Sequence, residues 1–567
     1  MRQLLSILVC LLALVPAAGE RTDAEMRAIA ATQLGIAMGA KAQNGTFAEP
    51  QLRCAMNRPT LNVYTPADDQ GFVIVAKNEN VPAVLAYGDG SFTAGQLPPD
   101  INWWLSCVER NLARQMPRMG RARQAAFQPV NNFITTRWDQ RRPYNLKTPM
   151  VNGSNTPAGC VAVALAQTMN YYKYPASASF TETYYVTDTK TTNAKGTVNS
   201  VYSWDYKDSY SFNARDGQGI AQLISDCGVA TGMQYSASGS GALNFMCGRA
   251  LTKYFSYPEA AVKYRERSLC TDEEWYGIIY NELMQKSPIV FGGQDSQFGG
   301  HAFVLSGIDK EGLVYVNWGW SGSGNGFYAI DLMDSSEGSF TEAQDIVYGI
   351  RPTTLPTDHV QPRLCSNDYQ PYTFSLQREN DDNGHSHKAI HIRFISGFWN
   401  MTPTKFDGEF GIFGTDLTTG EPWEIKETDP CDMEPGVGYF LDEPADLFYY
   451  YVEEEMIPGH TYRLSFGTRD KREGEWHSVL ADGGEVAYDV YFTGNPLTTT
   501  FSERVLPAAI RQVSASNTLH ADGLTRVYDL QGRMLYAVPT ERFNLWDVPA
   551  RGALIVKEGD KVRKVVR

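Results

Sequence analysis

Seven of the eight histidines, His359, His385, His387, His391, His460, His477 and His520, lie beyond Pro352. Imidazole chemistry before that point must therefore use His301, unless a later histidine reaches back. His301 follows the diglycine Gly299-Gly300 and opens the apolar run Ala302-Phe303-Val304-Leu305. That is the pattern of a strand whose glycine start lets backbone and ligand approach closely. A histidine there is either a satisfied core side chain or a base held by a strand edge. Cys160 ends Asn155-Thr156-Pro157-Ala158-Gly159-Cys160, and Val161 to Tyr172 then reads as a buried, Ala-rich helix. A turn feeding that helix puts the thiol at its N-terminus, where unpaired N–H groups and the helix dipole favour thiolate. A neighbouring imidazolium would complete the ion pair of a cysteine nucleophile. The competing reading is a small core residue.

Two further segments carry groups that could serve such a pair. Sixteen residues after His301 comes Val316-Asn317-Trp318-Gly319-Trp320-Ser321-Gly322. An amide oxygen on Asn317 could orient the imidazole while indoles exclude water, or the segment is simply a Gly/Trp-rich turn between strands. Upstream, Arg137-Trp138-Asp139-Gln140 offers an uncharged amide that, with the Cys160 N–H, suits stabilisation of an oxyanion.

The elements that must position these groups can be read around them. Residues 25–38 carry apolar side chains at helical spacing, and Asn62-Val63-Tyr64, Gly71 to Ala76 and Ala83 to Tyr87 are short strand-like runs. Ile101 to Gln115 returns to helical spacing through Trp103, Trp104, Cys107, Val108 and Leu112. A small α+β domain thus ends near Arg114. The basic stretch Arg114 to Gln124, punctuated by Pro117 and Gly120, fits an exposed linker open to proteolytic nicking, or a plain charged connector. The next unit runs from about 125 to 352. From Tyr369 to Phe492, strand-like patches such as Ala389 to Phe394 and Leu447 to Val452 alternate with turn clusters, which predicts a β-sandwich. The end of the chain is strand-like again.

Composition narrows the class. A chain of 567 residues, 43% apolar and 20% charged, can build several packed domains without a disulfide scaffold. Residues 1–19, with Arg2, the run Leu4 to Val15 and Pro16-Ala17-Ala18-Gly19, have the order of a secretory signal peptide. The run is short of the ~20 residues a membrane span needs, so no membrane span is expected. A net charge of −14 makes nucleic acid a poor partner. Nine cysteines without a regular spacing read as thiols more than as a framework.

Together these residues resemble the streptopain family of papain-like cysteine peptidases. The matching pieces, in family order, are Trp138-Asp139-Gln140 with Pro143-Tyr144-Asn145-Leu146 and Thr148-Pro149, Gly159-Cys160 with its helix and Tyr174-Pro175, Gly299 to Val304, and Val316 to Trp320. The resemblance implies a catalytic Cys160 and His301, an oxyanion role for Gln140, and support from Asn317, Trp318 and Trp320. It also implies a serine-rich loop along the substrate cleft, matched by Ser236 to Gly241 with Ser240, and substrate contact at Gly300. Residues 24 to about 120 resemble the family's inhibitory propeptide, which favours cleavage within Arg114 to Arg123. The last ~45 residues, through Val527-Tyr528-Asp529-Leu530-Gln531-Gly532-Arg533 and the Gly552 strand, resemble the C-terminal sorting domain of the type IX secretion system of Bacteroidetes.

The expected architecture is α+β: a signal peptide at 1–19, a propeptide at 20–123, a papain-like catalytic domain at 124–354, a sandwich-like domain at 360–498 and a C-terminal β domain at 505–567. The expected product is a secreted or surface-attached cysteine endopeptidase made as a zymogen. Its partners would be protein or peptide substrates, its own propeptide as intramolecular inhibitor, and the type IX machinery. This chemistry requires no metal and no cofactor. Rival readings are a catalytically idle surface protein binding host protein or glycan, transglutaminase or deamidase chemistry on the same fold, and a metal site at His385, His387 and His391, for which a polar Asp/Asn/Gly/His loop is the commoner explanation.

Overall fold

The computed structural model describes residues 19–37, 51–113, 128–187, 191–204, 206, 214–295, 299–330, 344–352, 364–366, 370–395, 397–441, 443–472, 474–481 and 484–506, and four strands beyond them. The expected leader up to residue 18 and the Arg-rich stretch 114–127 lie outside the described residues. The chain forms two units, one of residues 1–257 with 279–352, the other of 258–278 with 353–567.

Helix α1, Asp23–Ala37, opens the first unit. Its start is a reciprocal capping box: the Thr22 N–H donates to Glu25 Oε2 at 2.8 Å and the Glu25 N–H to Thr22 Oγ1 at 3.3 Å. Four antiparallel strands follow, Leu52–Asn57, Leu61–Pro66, Gln70–Ala76 and Val84–Ser91, then helix α2, Pro99–Ala113. Proline suits the first helical position because its missing N–H would have no partner there. Helix α2 buries Ile101, Trp103, Trp104, Leu105, Cys107, Val108 and Leu112. The helices and three of the strands fall where hydrophobic spacing predicts them. The strand Leu52–Asn57 was not among the expected elements, although in its sequence, LRCAMN, the apolar Leu52, Cys54 and Met56 alternate with Arg53, Ala55 and Asn57.

The rest of this unit continues the same sheet. Its order runs Leu52–Asn57, Leu61–Pro66, Gln70–Ala76, Val84–Ser91, Gly326–Tyr328, Val314–Asn317, Gly299–Ile308, Ile289–Asp295 and Gln344–Tyr348. The N-terminal region is therefore joined to the later part of the unit by strand pairing, Phe327 opposite Tyr87 and Tyr328 opposite Ala86. The Tyr87 and Phe327 rings stack at 5.2 Å, and the Tyr87 hydroxyl donates to buried Asp309 at 3.0 Å. The backbones meet through two glycines. A Cβ on Gly88 would lie 2.3 Å from the Asn325 carbonyl oxygen, and one on Gly326 would lie 2.4 Å from the Tyr87 carbonyl oxygen. Helix α3, Cys160–Tyr172, packs near this sheet with α4, Ala214–Ala230, and α5, Phe245–Lys253. A second sheet, built on the hairpin Ser177–Thr187 and Thr191–Val201, reaches Ser240–Gly241 through Gln234–Tyr235.

The second unit is built mainly of strands. A sheet including Phe406–Asp416, His460–Asp470 and Gly484–Phe492 and a smaller one of Tyr372–Asn380, Ser386–Phe394 and Ala445–Tyr451 share one aromatic core, with Tyr372, Phe394, Phe398, Phe410 and Phe466 at its centre. The chain ends in a four-stranded antiparallel sheet ordered Met534–Pro539, Leu524–Tyr528, Ala553–Glu558, Lys561–Val566. No helix among the described residues is long and apolar enough to cross a membrane.

The glycine contact at the strand junction gives a direct test. In a Cys160→Ala background, Gly88→Ala forces a methyl group against backbone, and the N-terminal region is expected to loosen by about 1–3 kcal/mol, the usual cost of overpacking. The measurement is urea unfolding of the whole chain. An unchanged midpoint would mean that the strands do not pair this closely.

Candidate active site

Cys160 is the first residue of α3, and the helix is capped by Gly159 at φ 88° with no side-chain cap. Only glycine accepts that conformation readily, and a Cβ there would also lie 2.7 Å from the Met233 sulfur. With no capping side chain in the way, the first N–H groups of the helix are available to the sulfur. The N–H groups of Ala302, Val161 and Cys160 itself favour its thiolate. They are outweighed. Burial pushes the thiol up to about 11, and the nearby Asp100 carboxylate pushes in the same direction. A helix start that alone predicts a thiolate thus carries a thiol here, because desolvation of the charged form exceeds what the helix end contributes.

His301 lies on the strand Gly299–Ile308, next to Ala302, whose N–H bonds the Cys160 sulfur. The strand that carries His301 thus reaches the Cys160 sulfur through its backbone. The imidazole, however, has another partner: Nδ1 lies 2.5 Å from Oδ1 of Asp100, a fully buried residue in the first turn of α2. Trp320 Nε1 donates to the other oxygen, Asp100 Oδ2, at 2.9 Å. The surrounding wall is aromatic and tight. Trp103 packs 6.4 Å from Phe303, Trp104 meets Tyr328 edge-on at 4.9 Å, and Phe303 lies 4.6 Å from Trp318.

Asn317 differs from its expected part. Its Nδ2 donates to the Thr136 carbonyl at 2.7 Å and to Gln167 Oε1 at 3.1 Å, and its Oδ1 accepts the Gly319 N–H at 3.2 Å. Its polar atoms tie backbone segments together, while a carboxylate faces the imidazole. A carboxylate in a dry site attracts an imidazolium more strongly than a neutral amide does. Trp318 is fully buried and Trp320 half-buried. Gln140 is buried, and its carbonyl accepts the Ala158 N–H at 2.8 Å, which fixes its segment to the turn before Cys160. Ser240 donates its hydroxyl to the Pro157 carbonyl at 2.7 Å, a bond that braces the same turn. Gly300 is exposed and pairs with Gln294 across the strand.

Asp100 and Gln167 were missed in the sequence. An acidic residue in a first helical turn complements the dipole wherever it occurs, so Asp100 carries no distinguishing signal. Gln167 has a weak one: with Asn170 it is one of two buried amides in an otherwise Ala-rich, apolar helix, seven residues after the cysteine. As for metals, the described residues contain no cluster of three or more ligand side chains. His385 and His387 each lie beside Asp381, at 3.3 and 3.4 Å, and His391 lies 3.0 Å from Glu379.

Comparison with known proteins bears on the same residues. The model of the Peptidase C10 family matches residues 138–328, and that of the Spi protease inhibitor matches residues 37–112. The chain is 29% identical over 334 residues to the thiol protease/hemagglutinin PrtT of Porphyromonas gingivalis, covering 53% of this chain but 38% of that protein's length. It is 29% identical over 314 residues to streptopain of Streptococcus pyogenes, covering 50% of this chain and 78% of streptopain. Among solved structures, a prointerpain A fragment from Prevotella intermedia is 32% identical, with 54% of this chain and 99% of the fragment covered and a TM-score of 0.47. Active interpain A from the same organism is 38% identical, with 40% and 97% covered and a TM-score of 0.36. The prointerpain A fragment and interpain A are covered nearly end to end at more than 30% identity, and the chain belongs to the Peptidase C10 family, the streptopain family of cysteine peptidases.

Proposed function

We propose that the protein is an exported cysteine endopeptidase, papain-like in its catalytic domain, made as a zymogen whose N-terminal region holds the catalytic base away from its work. The observation that carries this reading is the position of His301: one residue from the Ala302 N–H that bonds the Cys160 sulfur, yet 2.5 Å from Asp100 of the inhibitor-like region. Cleavage within Arg114 to Arg123 frees that region. His301 then takes the Cys160 proton, and the helix N–H groups favour the resulting thiolate.

The thiolate attacks a peptide carbonyl, forming a C–S bond and an oxyanion that the Cys160 N–H and the Gln140 amide receive. Collapse breaks the C–N bond, and the His301 imidazolium gives its proton to the departing amine. Water, deprotonated by His301, then hydrolyses the thioester and restores the thiol. Asn317, Trp318 and Trp320 hold the wall behind the imidazole, while Ser240 and Gly300 border the cleft for extended protein substrate. Export through a leader, with the C-terminal sheet serving type IX sorting, completes the reading.

Two experiments test it. Wild type and Cys160→Ala are incubated with casein. Wild type is expected to hydrolyse it and shed its first ~120 residues, and the variant to do neither; equal activity would end the proposal. In the second, iodoacetamide labelling of Cys160 is followed in the uncut precursor. Asp100→Ala removes the group 2.5 Å from His301 Nδ1 and the carboxylate that disfavours the Cys160 thiolate. It is therefore expected to free His301 and raise labelling roughly tenfold near neutral pH, an increase that His301→Ala cancels. Equal labelling with and without Asp100 would show that the carboxylate is not the restraint.

A further inference from the structure

We propose that Gln167 is a positioning residue for the oxyanion-binding side of the active site, acting through the backbone of Trp138 and the amide of Asn317. The inference rests on the peptidase reading above. Gln167 lies seven residues after Cys160 on α3, two turns along and on the same face, at about 10 Å. It is 1% exposed. Its Oε1 accepts the Trp138 N–H at 3.3 Å and Asn317 Nδ2 at 3.1 Å. Both neighbours are donors, so the oxygen must be the end that faces them.

One atom of the nucleophile helix is thus shared by the two segments that flank the site. The first carries Trp138-Asp139-Gln140, whose end is fastened to the turn before Cys160 by the Ala158 N–H to Gln140 carbonyl bond. The second is the Asn317 turn. Asn317 Nδ2 also reaches the Thr136 carbonyl, the Ser321 N–H donates to the Trp138 carbonyl at 3.2 Å, and the Ser321 hydroxyl donates to Asp139 Oδ2 at 2.8 Å. The two segments are bonded to each other at three points, and Gln167 holds the pair against the helix. An oxyanion must lie within about 2.7–3.1 Å of both its donors. Gln167 sets where the Gln140 donor stands relative to the Cys160 N–H. It touches no substrate and does not reach the sulfur, so its effect belongs to the transition state and not to the nucleophile.

The test uses the full chain allowed to mature, with Gln167→Met, which keeps length and loses the acceptor, and Gln167→Glu, which keeps an acceptor oxygen. For Gln167→Met, kcat on a peptide substrate is expected to fall about 10- to 100-fold, the penalty of a roughly 1 Å misplacement. KM should stay within about twofold, and the rate and pH profile of Cys160 alkylation should match wild type. Gln167→Glu is expected to recover most of kcat. An unchanged kcat in the Met variant, alkylation falling in step with kcat, or a Glu variant no better than Met would each overturn the role. If the Met variant does not accumulate folded, Gln167→Asn, which withdraws the oxygen by one methylene, is read by the same criteria. Failure here is distinct from failure of the peptidase reading: an active Cys160→Ala protein removes the reading, whereas an inactive Cys160→Ala beside a fully active Gln167→Met removes only the positioning role.

Discussion

The contact between Asp100 and His301 is the constraint around which the first unit is arranged. A carboxylate with no exposure to water is costly to bury unless it is compensated. Here the imidazole takes one oxygen and the Trp320 indole N–H the other. The remaining features of the N-terminal region serve to bring this one side chain to that place. Pro99 starts the helix so that Asp100 lies in its first turn, Trp103 and Trp104 drive the helix against Phe303 and Tyr328, and strand pairing at Tyr87 anchors the sheet that carries it. The same carboxylate helps keep the Cys160 thiol protonated. One buried side chain thus acts on both residues, lying against the His301 imidazole and disfavouring the Cys160 thiolate.

Behind this contact lies a second layer that is neutral and made of amides and backbone. Asn317 Nδ2 bonds the Thr136 carbonyl and Gln167 Oε1, Gln167 Oε1 also accepts the Trp138 N–H, and the Trp138 carbonyl accepts the Ser321 N–H, all in a buried region. Neutral hydrogen bonds suit that task because they hold position without adding a field that would compete with the charges in front of them.

Much of this could be read from residue types. The isolation of His301 ahead of Pro352, the Gly159-Cys160 turn into an Ala-rich helix, and the helical spacing of Trp103, Trp104 and Leu112 all have local causes, and each element forms where its pattern places it. What escaped the sequence is long-range. The partner of His301 lies some two hundred residues earlier, on an element whose acidic first turn has an ordinary local explanation. The thiol's protonation likewise depends on burial by distant chain, while the local signal, a helix N-terminus, points the other way. Asn317 was noticed for its chemistry, but its bonds go to Thr136 and Gln167, which no spacing rule connects to it. Local preference predicts elements; which side chains face each other across a dry interface is decided by packing.

The strand junction at Tyr87 and Phe327 has a kinetic side. While the chain is continuous, the N-terminal region is tethered, and its effective concentration at the sheet edge is far above any concentration in solution. A cut between the two parts removes none of the contacts, but it turns an intramolecular equilibrium into a bimolecular one. The cut protein is then governed by mass action: concentrated, it stays paired along Gly326–Tyr328; diluted, it comes apart. Departure also bares a sheet edge, and that edge is three residues long with glycine at its start, too short to template pairing between molecules.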